Sequence, residues 1–136
     1  MLRSTTTVRV RYAETDAMGI TYHGNYLPWL EMARVNLLDE IGLPYRKIEE
    51  LGVFMPVLEV QMKYLKPTRF DDEVQVHLLI KEKPLLRLSI DYELRRGDDI
   101  IMRATTWHAF MNAKGEPIRP PEIWKEKMRE VFAKKS

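Results

Sequence analysis

The 136-residue sequence contains no cysteine, and this absence limits the chemistry open to the protein. Without thiols the chain has no disulfide scaffold, no thiolate ligand for zinc and no cysteine nucleophile. Its three histidines include His77 and His108 on separate strand patterns, and no two of them have H-x-x-x-H spacing, so a metal site is not expected. The sequence also lacks a Gly-rich phosphate loop and a G-x-S-x-G elbow, which excludes the common nucleotide-binding and serine-hydrolase sites.

Long apolar runs and charge of one sign are missing as well. Lys and Arg total 22 and Asp and Glu total 20, which gives a net charge of +2 with both signs interspersed. No basic block or RNA-binding motif is present, so a nucleic-acid partner is not expected. No apolar run approaches membrane-spanning length, and the N-terminus has no apolar signal segment. We therefore expect one domain over residues 1–136, in a cytoplasmic enzyme or binding protein.

The hydrophobic periodicity changes along the chain and predicts both helices and strands. A three-to-four-residue period predicts a long helix over 25–41, with Asn25 as a candidate N-cap, Pro28 in the first turn and Gly42 as the stop. A shorter helix is predicted over 45–51 and a terminal helix from 120 onwards. Period-two alternation predicts strands over 8–12, 57–65, 73–81, 86–96 and 100–112. Turns near Asp71 and Pro84, and a turn at Gly97 and Asp98, predict that successive strands can pair as hairpins.

This order of elements predicts an α+β fold. One strand, a long helix and then four or more strands are typical of a long helix wrapped by a curved antiparallel sheet of about five strands. The helix would then lie on one face of the sheet.

The segment that carries chemistry is the loop before the long helix. Asp16 lies in a short loop with Gly19, and Tyr22, His23 and Asn25 follow where the helix begins. A carboxylate beside a helix N-terminus, where backbone N–H groups are unpaired, suits acyl transfer because the N–H groups can hold an oxyanion. By itself, an Asp before a helix is more often a turn or cap residue. Glu14 is expected in the preceding strand.

The run D-A-M-G-I-T-Y-H-G-N-Y-L-P-W, which starts at Asp16, resembles the signature of the hotdog-fold acyl-CoA thioesterases of the 4-hydroxybenzoyl-CoA thioesterase family. Within that family it is similar to the small bacterial acyl-CoA thioesterases associated with the Tol-Pal system, and the similarity extends over about residues 7–132. The resemblance implies hydrolysis of acyl-CoA to free acid and CoA without a further cofactor. It also implies homodimers that pair their sheets edge to edge, with active sites at the interface, and that associate into a homotetramer.

The resemblance also assigns roles to residues. Asp16 matches the catalytic carboxylate, either as a nucleophile or as the base that activates water, and the His23 backbone N–H matches the oxyanion donor. Gly19 would let the loop approach the substrate, and Tyr22 and Asn25 would line the pocket. Cations are needed for the CoA phosphates, and the basic candidates are Lys66, Lys83, Arg87 and Arg119. The turn over residues 83–87 departs from the pattern of relatives, so nucleotide placement is not carried over from them.

Two alternatives stay open from the sequence. One is a thioesterase that acts on acyl carrier protein, which would need a docking surface instead of a nucleotide site. The other is a non-catalytic protein that binds acyl thioesters on the same fold. Asp16 argues against the binder, because a protein that only binds has no use for a carboxylate at the carbonyl. The D-x-x-G-x-x-Y-H run points away from the hotdog dehydratases.

Overall fold

A long helix packed on an antiparallel sheet organises the chain, and the computed structural model describes residues 1–134. The helices are α1 (Leu27–Glu40), α2 (Tyr45–Glu50) and α3 (Glu122–Lys134). The strands are β1 (Leu2–Arg9), β2 (Val53–Phe54), β3 (Val57–Tyr64), β4 (Glu73–Ile80), β5 (Leu88–Arg96), β6 (Asp99–His108), β7 (Phe110–Asn112) and β8 (Pro117–Ile118). Within residues 1–134, no helix is long and apolar enough to cross a membrane.

The long helix begins later than predicted. A 3₁₀ turn over His23–Tyr26 precedes α1, and Asn25 lies inside this turn, so the prediction of Asn25 as N-cap is wrong. The Asn25 side-chain amide donates to the Glu14 carbonyl (2.8 Å) and holds Asn25 in this turn, two residues before α1 begins. Pro28 does lie in the first turn of α1, where its missing N–H costs nothing. Gly42, with φ +81°, follows the helix end as predicted.

The main sheet has five antiparallel strands in the order β1-β4-β5-β6-β3, and β2, β7 and β8 form a separate three-stranded sheet. The predicted hairpins β4–β5 and β5–β6 are confirmed. The prediction that β3 and β4 form a hairpin is wrong. Strand β4 pairs with β5 on one edge and along its whole length with β1 on the other, which leaves no free edge for β3. Strand β3 instead pairs with β6 at the opposite edge of the sheet. The predicted strand over 100–112 is interrupted at Ala109, between β6 and β7.

The core lies between α1 and the inner face of the sheet. Alternate residues of β4 and β5 are buried, as their period-two pattern predicted, and α3 adds Trp124 and Met128. The α1 residues that face the sheet are also buried: Trp29, Leu30, Ala33, Leu37 and Leu38. The predicted α+β class is confirmed, and the arrangement of one long helix on this sheet is that of a hotdog fold.

Strand β3 is an edge strand with unusual exposure. All of its residues except Met62 are exposed, and Val57, Leu58, Val60 and Tyr64 expose between 37% and 49% of their surface. Free N–H and C=O groups on an edge strand readily pair with another strand. This apolar edge is therefore a surface suited to pairing with a second chain.

Candidate active site

The Asp16 loop is a tight backbone turn. The Asp16 N–H donates to the Ile20 carbonyl (2.9 Å), and the Gly19 N–H donates to the Asp16 carbonyl (2.9 Å). One carboxylate oxygen of Asp16 accepts the Met18 N–H (2.9 Å). The side chain is half-buried and fixed by a single backbone donor, which leaves its second oxygen available to a substrate or a water molecule.

Glycine is required at position 19 by the backbone conformation and not by steric crowding. Its φ is +77°, and a Cβ added there would meet no atom of the chain within 4 Å. Residues with a Cβ disfavour this left-handed conformation, so glycine is the natural choice for the turn. The sequence prediction that Gly19 lets the loop approach the substrate stays a prediction.

An open depression of about 600 Å³ lies beside the Asp16 carboxylate. It is lined by Tyr12, Thr15, Asp16, Ala17, Gly19 and Phe70. The rings of Tyr12 and Phe70 meet edge to face at a centroid distance of 5.3 Å, and they form its apolar wall. Asp16 is therefore beside an accessible recess and not inside the core.

Glu14, two residues before Asp16, has a different environment. It lies in a 3₁₀ turn over Tyr12–Glu14 and is 6% exposed, so the prediction that it falls in the strand is wrong. Its carboxylate accepts the Arg11 N–H (2.8 Å) and the Trp29 indole N–H (2.8 Å), and these bonds close a turn that an extended strand could not make. The two acids are thus separated by environment: one is buried and bonded, and the other faces a recess.

The 3₁₀ turn that opens the helix presents free backbone donors. Within the part of the chain that the structure describes, no acceptor is bonded to the backbone N–H of His23 or Gly24, as expected for the first N–H groups of a helical turn. The Tyr64 hydroxyl donates to the His23 carbonyl (2.7 Å) and fixes the turn. His23 does not line the depression beside Asp16 within a single chain.

Tyr22 and Asn25 take different positions around this turn. The Tyr22 ring is exposed and lies against the His23 ring at a centroid distance of 4.2 Å. Asn25 is held by the Glu14 carbonyl, so the structure gives it a local bonding role. Its predicted contact with substrate stays a prediction.

The four cations predicted to bind the CoA phosphates do not lie together in the structure. Lys83 and Arg119 line one cleft of about 240 Å³, together with Lys125 and Arg129 from α3. Lys66 is elsewhere, in an ion pair with Asp99 (2.8 Å). Arg87 is exposed and does not line the cleft. The structure therefore brings together two of the four candidates.

A second cavity, of about 280 Å³, lies between α1, the sheet and α3. A series of hydrogen bonds runs beside it, from the half-buried Arg34 to the buried His108. Arg34 Nη1 donates to the Tyr92 hydroxyl (3.2 Å), which lies 2.7 Å from Thr106 Oγ1. Thr106 Oγ1 is in turn 2.8 Å from His108 Nε2. Burial, and secondly the charge of Arg34, lower the pKa of His108 to about 4, so this imidazole is neutral at pH 7.

Several residues of the site were not predicted from the sequence. Thr68 is fully buried and bonds the hydroxyls of Thr21 (2.6 Å) and Tyr26 (3.0 Å), which ties the loop to the 3₁₀ turn that precedes α1. Tyr64 fixes the His23 carbonyl from β3. Each of these bonds joins residues more than 40 positions apart, so no local pattern could reveal them. Among residues 1–134 no group of three or more His, Asp or Glu could hold a metal ion.

Comparison with known proteins identifies the family of this chain. A family model described as the Thioesterase-like superfamily matches residues 10–132. A Bacillus subtilis (strain 168) protein named "Putative acyl-CoA thioesterase YneP" is 35% identical over 102 residues, which cover 74% of each chain. The crystal structure of a DHNA-CoA thioesterase from Staphylococcus aureus superposes with a TM-score of 0.91 at 30% identity, covering 98% of this chain and 93% of the other.

A third relative extends the set to a hydrolase with a named aromatic substrate. The 1,4-dihydroxy-2-naphthoyl-CoA hydrolase of Thermosynechococcus vestitus (strain NIES-2133 / IAM M-273 / BP-1) is 30% identical over 101 residues, which cover 73% of this chain and 69% of the relative. The family match spans the Asp16 loop, α1, the whole five-stranded sheet except β1, and most of α3. The chain belongs to the thioesterase-like superfamily of hotdog proteins.

Proposed function

We propose that the protein hydrolyses acyl-CoA thioesters to a free carboxylic acid and CoA, with Asp16 as the catalytic carboxylate and the His23 N–H as the oxyanion donor. The relatives named as acyl-CoA thioesterases support the reaction. The observation that carries the residue assignment is the half-buried Asp16 carboxylate in a fixed loop. This loop leads directly into a turn whose His23 N–H has no acceptor within residues 1–134.

The proposed chemistry needs only groups that the chain supplies. In one route Asp16 attacks the thioester carbonyl carbon, the CoA thiolate leaves, and water hydrolyses the resulting acyl anhydride to free acid and the Asp16 carboxylate. In the other route Asp16 removes a proton from the water that attacks the carbonyl carbon, and the residues leave both roles open. Negative charge then develops on the carbonyl oxygen, where a fixed backbone N–H stabilises it. The thiolate of CoA is a good leaving group, so no metal or further cofactor is part of the proposal.

The proposal includes a homodimer formed through β3. This strand is an exposed apolar edge, and pairing with the same strand of a second chain would cover it. A two-fold axis through β3 makes the pair antiparallel, so the Val57 end of one strand lies beside the Tyr64 end of its partner. Tyr64 holds the His23 turn, which places that turn next to the interface. Association into a tetramer, and a cytoplasmic location, stay predictions.

For the CoA phosphates, we favour the cleft that Lys83 and Arg119 share, because both cations lie in one recess. Two further cations, Lys125 and Arg129, line the same recess, although each is paired with Glu122. Lys66 is already neutralised by Asp99 and is a weaker candidate. Arg87 lies on the same connection as Lys83 and stays a prediction.

The experiment that tests this function is thiol release from a panel of acyl-CoA esters by the wild-type protein and by Asp16→Ala. The proposal predicts turnover by the wild type that disappears in Asp16→Ala while the oligomeric state persists. Turnover of acyl carrier protein thioesters alone would favour the first alternative. A wild-type protein that binds acyl-CoA without releasing thiol would favour the non-catalytic binder.

A further inference from the structure

The connection between β4 and β5 carries the two most exposed leucines of residues 1–134. Leu85 exposes 76% of its surface and Leu86 exposes 58%. They lie in the segment 81–87, which forms neither helix nor strand. A single exposed apolar residue is common on a protein surface, but adjacent exposed apolar side chains are typical of an interaction site. The two leucines therefore form an apolar tip that a partner would cover.

Positive charge surrounds this apolar tip. The two leucines line the cleft of about 240 Å³ together with four exposed cations: Lys83, Arg119, Lys125 and Arg129. Within residues 1–134, Lys83 and Arg119 form no ion pair, while Lys125 and Arg129 share Glu122. No acidic residue lines the cleft itself. Leu85, Leu86 and these four cations are called the basic leucine patch below.

The excess positive charge of the chain is concentrated at this patch. The segments 82–87 and 119–129 together contain six Lys or Arg and three Glu, which leaves a surplus of three positive charges. The whole chain has a net charge of +2, so the remainder of the sequence is slightly acidic. A local surplus of one sign attracts a partner of the opposite sign.

Binding of CoA phosphates explains the cations of the patch but not its leucines. Phosphate groups need positive charge and gain nothing from exposed apolar side chains. Exposed apolar side chains beside Lys and Arg are suited to the surface of an anionic membrane. There the apolar groups enter the boundary between headgroups and acyl chains, and the cations meet the anionic headgroups. The leucines therefore favour lipid phosphates over free ones as the partner of this surface.

Two other occupants fit the patch less well. A second copy docked patch to patch would place like charges against each other, which is unfavourable. The patch also lies away from the β3 edge, because β6 separates β5 from β3 in the sheet. An acidic protein would satisfy the cations, but it would also have to supply an apolar pocket shaped for Leu85 and Leu86. The acyl region of a membrane accepts apolar side chains of any shape.

We propose that the basic leucine patch docks the protein on an anionic phospholipid membrane. Leu85 and Leu86 enter the boundary between headgroups and acyl chains, and the four cations lie against the lipid phosphates. This inference does not rest on the thioesterase function, because it uses no residue of the Asp16 loop.

The test is co-sedimentation of the full chain with phosphatidylcholine vesicles that either contain or lack phosphatidylglycerol. We expect the anionic vesicles to bind at least about 10-fold more tightly, since each Lys or Arg near an anionic surface strengthens binding by roughly fivefold. This difference should largely disappear when the ionic strength is raised from about 0.1 M to about 1 M, because salt screens the charges.

Variants of the leucines test the apolar half of the proposal. Leu85→Ser/Leu86→Ser should weaken binding to anionic vesicles by about 10- to 100-fold, because it removes the apolar area that enters the membrane. Both side chains are exposed, so the urea midpoint should stay close to that of the wild type. Leu51→Ser is the matched control, since Leu51 is 56% exposed at the end of α2 and does not line the cleft. It should leave vesicle binding unchanged.

Variants of the cations test the electrostatic half. Lys125→Gln/Arg129→Gln should weaken binding to anionic vesicles by about 10-fold and leave binding to neutral vesicles unchanged. Lys63→Gln/Arg103→Gln removes the same charge from neighbouring positions of β3 and β6, and neither residue lines the cleft. This control should have a much smaller effect.

Several outcomes would overturn the proposal. Equal binding to the two kinds of vesicle, or unchanged binding by the leucine variant, shows that the patch is not a membrane surface. A smaller assembly of the leucine variant in analytical ultracentrifugation assigns the leucines to an interface between copies. Binding of acyl carrier protein through these residues without vesicle binding assigns the patch to an acidic protein. Asp16→Ala should bind vesicles as the wild type does, so failure of the thioesterase function is recognised separately.

Discussion

The indole N–H of Trp29 donates to the Glu14 carboxylate at 2.8 Å and joins the first turn of α1 to the loop that carries Asp16. Glu14 also accepts the Arg11 N–H, and its carbonyl accepts the Tyr22 N–H (2.9 Å) and the Asn25 side-chain amide. One buried glutamate thus fixes both limbs of the loop, while the acid two residues later remains free for chemistry.

Replacement of Glu14 tests this structural role. Glu14→Ala would leave the Arg11 and Trp29 N–H groups without acceptors, and we expect a loss of about 2–4 kcal/mol in the free energy of unfolding. Glu14→Gln retains one acceptor oxygen and should lose less. Urea unfolding followed by circular dichroism measures both. An Ala variant as stable as the wild type would show that these bonds do not hold the loop.

The backbone conformation at Gly19 gives a second prediction. Because φ is +77° and a Cβ meets no neighbour, Gly19→Ala should cost about 1–2 kcal/mol through backbone strain alone. Gly19→Asn should cost less, since Asn tolerates this region better than Ala. Urea midpoints of the two variants provide the comparison. Equal stability of Ala and glycine at this position would contradict the conformational requirement.

Local signals in the sequence predicted much of this fold. The period of α1, the stop at Gly42 and the alternation in β4 and β5 depend on neighbours within a few residues, and all of them appear in the structure. The place of β3 beside β6 was missed, because it depends on β1 occupying the free edge of β4.

The candidate site was also predicted only in part from the sequence. The loop with Asp16 could be located from a motif, since its spacing is local. The burial of Glu14 could not, because its partner Trp29 lies 15 positions away on another element. The cavity with Arg34 and Trp124 is formed only when α1 and α3 pack on the sheet, and no pattern in either helix shows it.

The buried His108 predicts a pH dependence of stability. Burial is the main cause that lowers its pKa from 6.5 to about 4, the charge of Arg34 adds to this, and hydrogen bonds to the backbone partly oppose it. The unfolded chain therefore binds a proton that the folded chain does not. This contribution is fully present above about pH 6.5 and is lost as the pH falls towards 4, by up to about 3 kcal/mol.

The measurement is the free energy of unfolding of the wild type and of His108→Gln between pH 7.5 and 4.5. Among the described residues around the imidazole, the other ionisable groups are Arg34 and Glu31 from α1, Tyr45 from α2 and Tyr92 from β5, and all four are present in both proteins. The difference between the two curves therefore isolates the imidazole. The wild type should lose stability over this window and the variant should lose much less. Parallel curves would show that His108 does not cause the dependence.

The most direct test of the account is the rate of thiol release by Asp16→Asn on the best ester, measured beside its dissociation constant. The side-chain amide oxygen of this variant can still accept the Met18 N–H, so the loop should persist while the charge is lost. We predict a fall in kcat of roughly 10²- to 10⁴-fold with ester binding and the urea midpoint almost unchanged. A variant that releases thiol at the wild-type rate would contradict the assignment of Asp16 as the catalytic carboxylate.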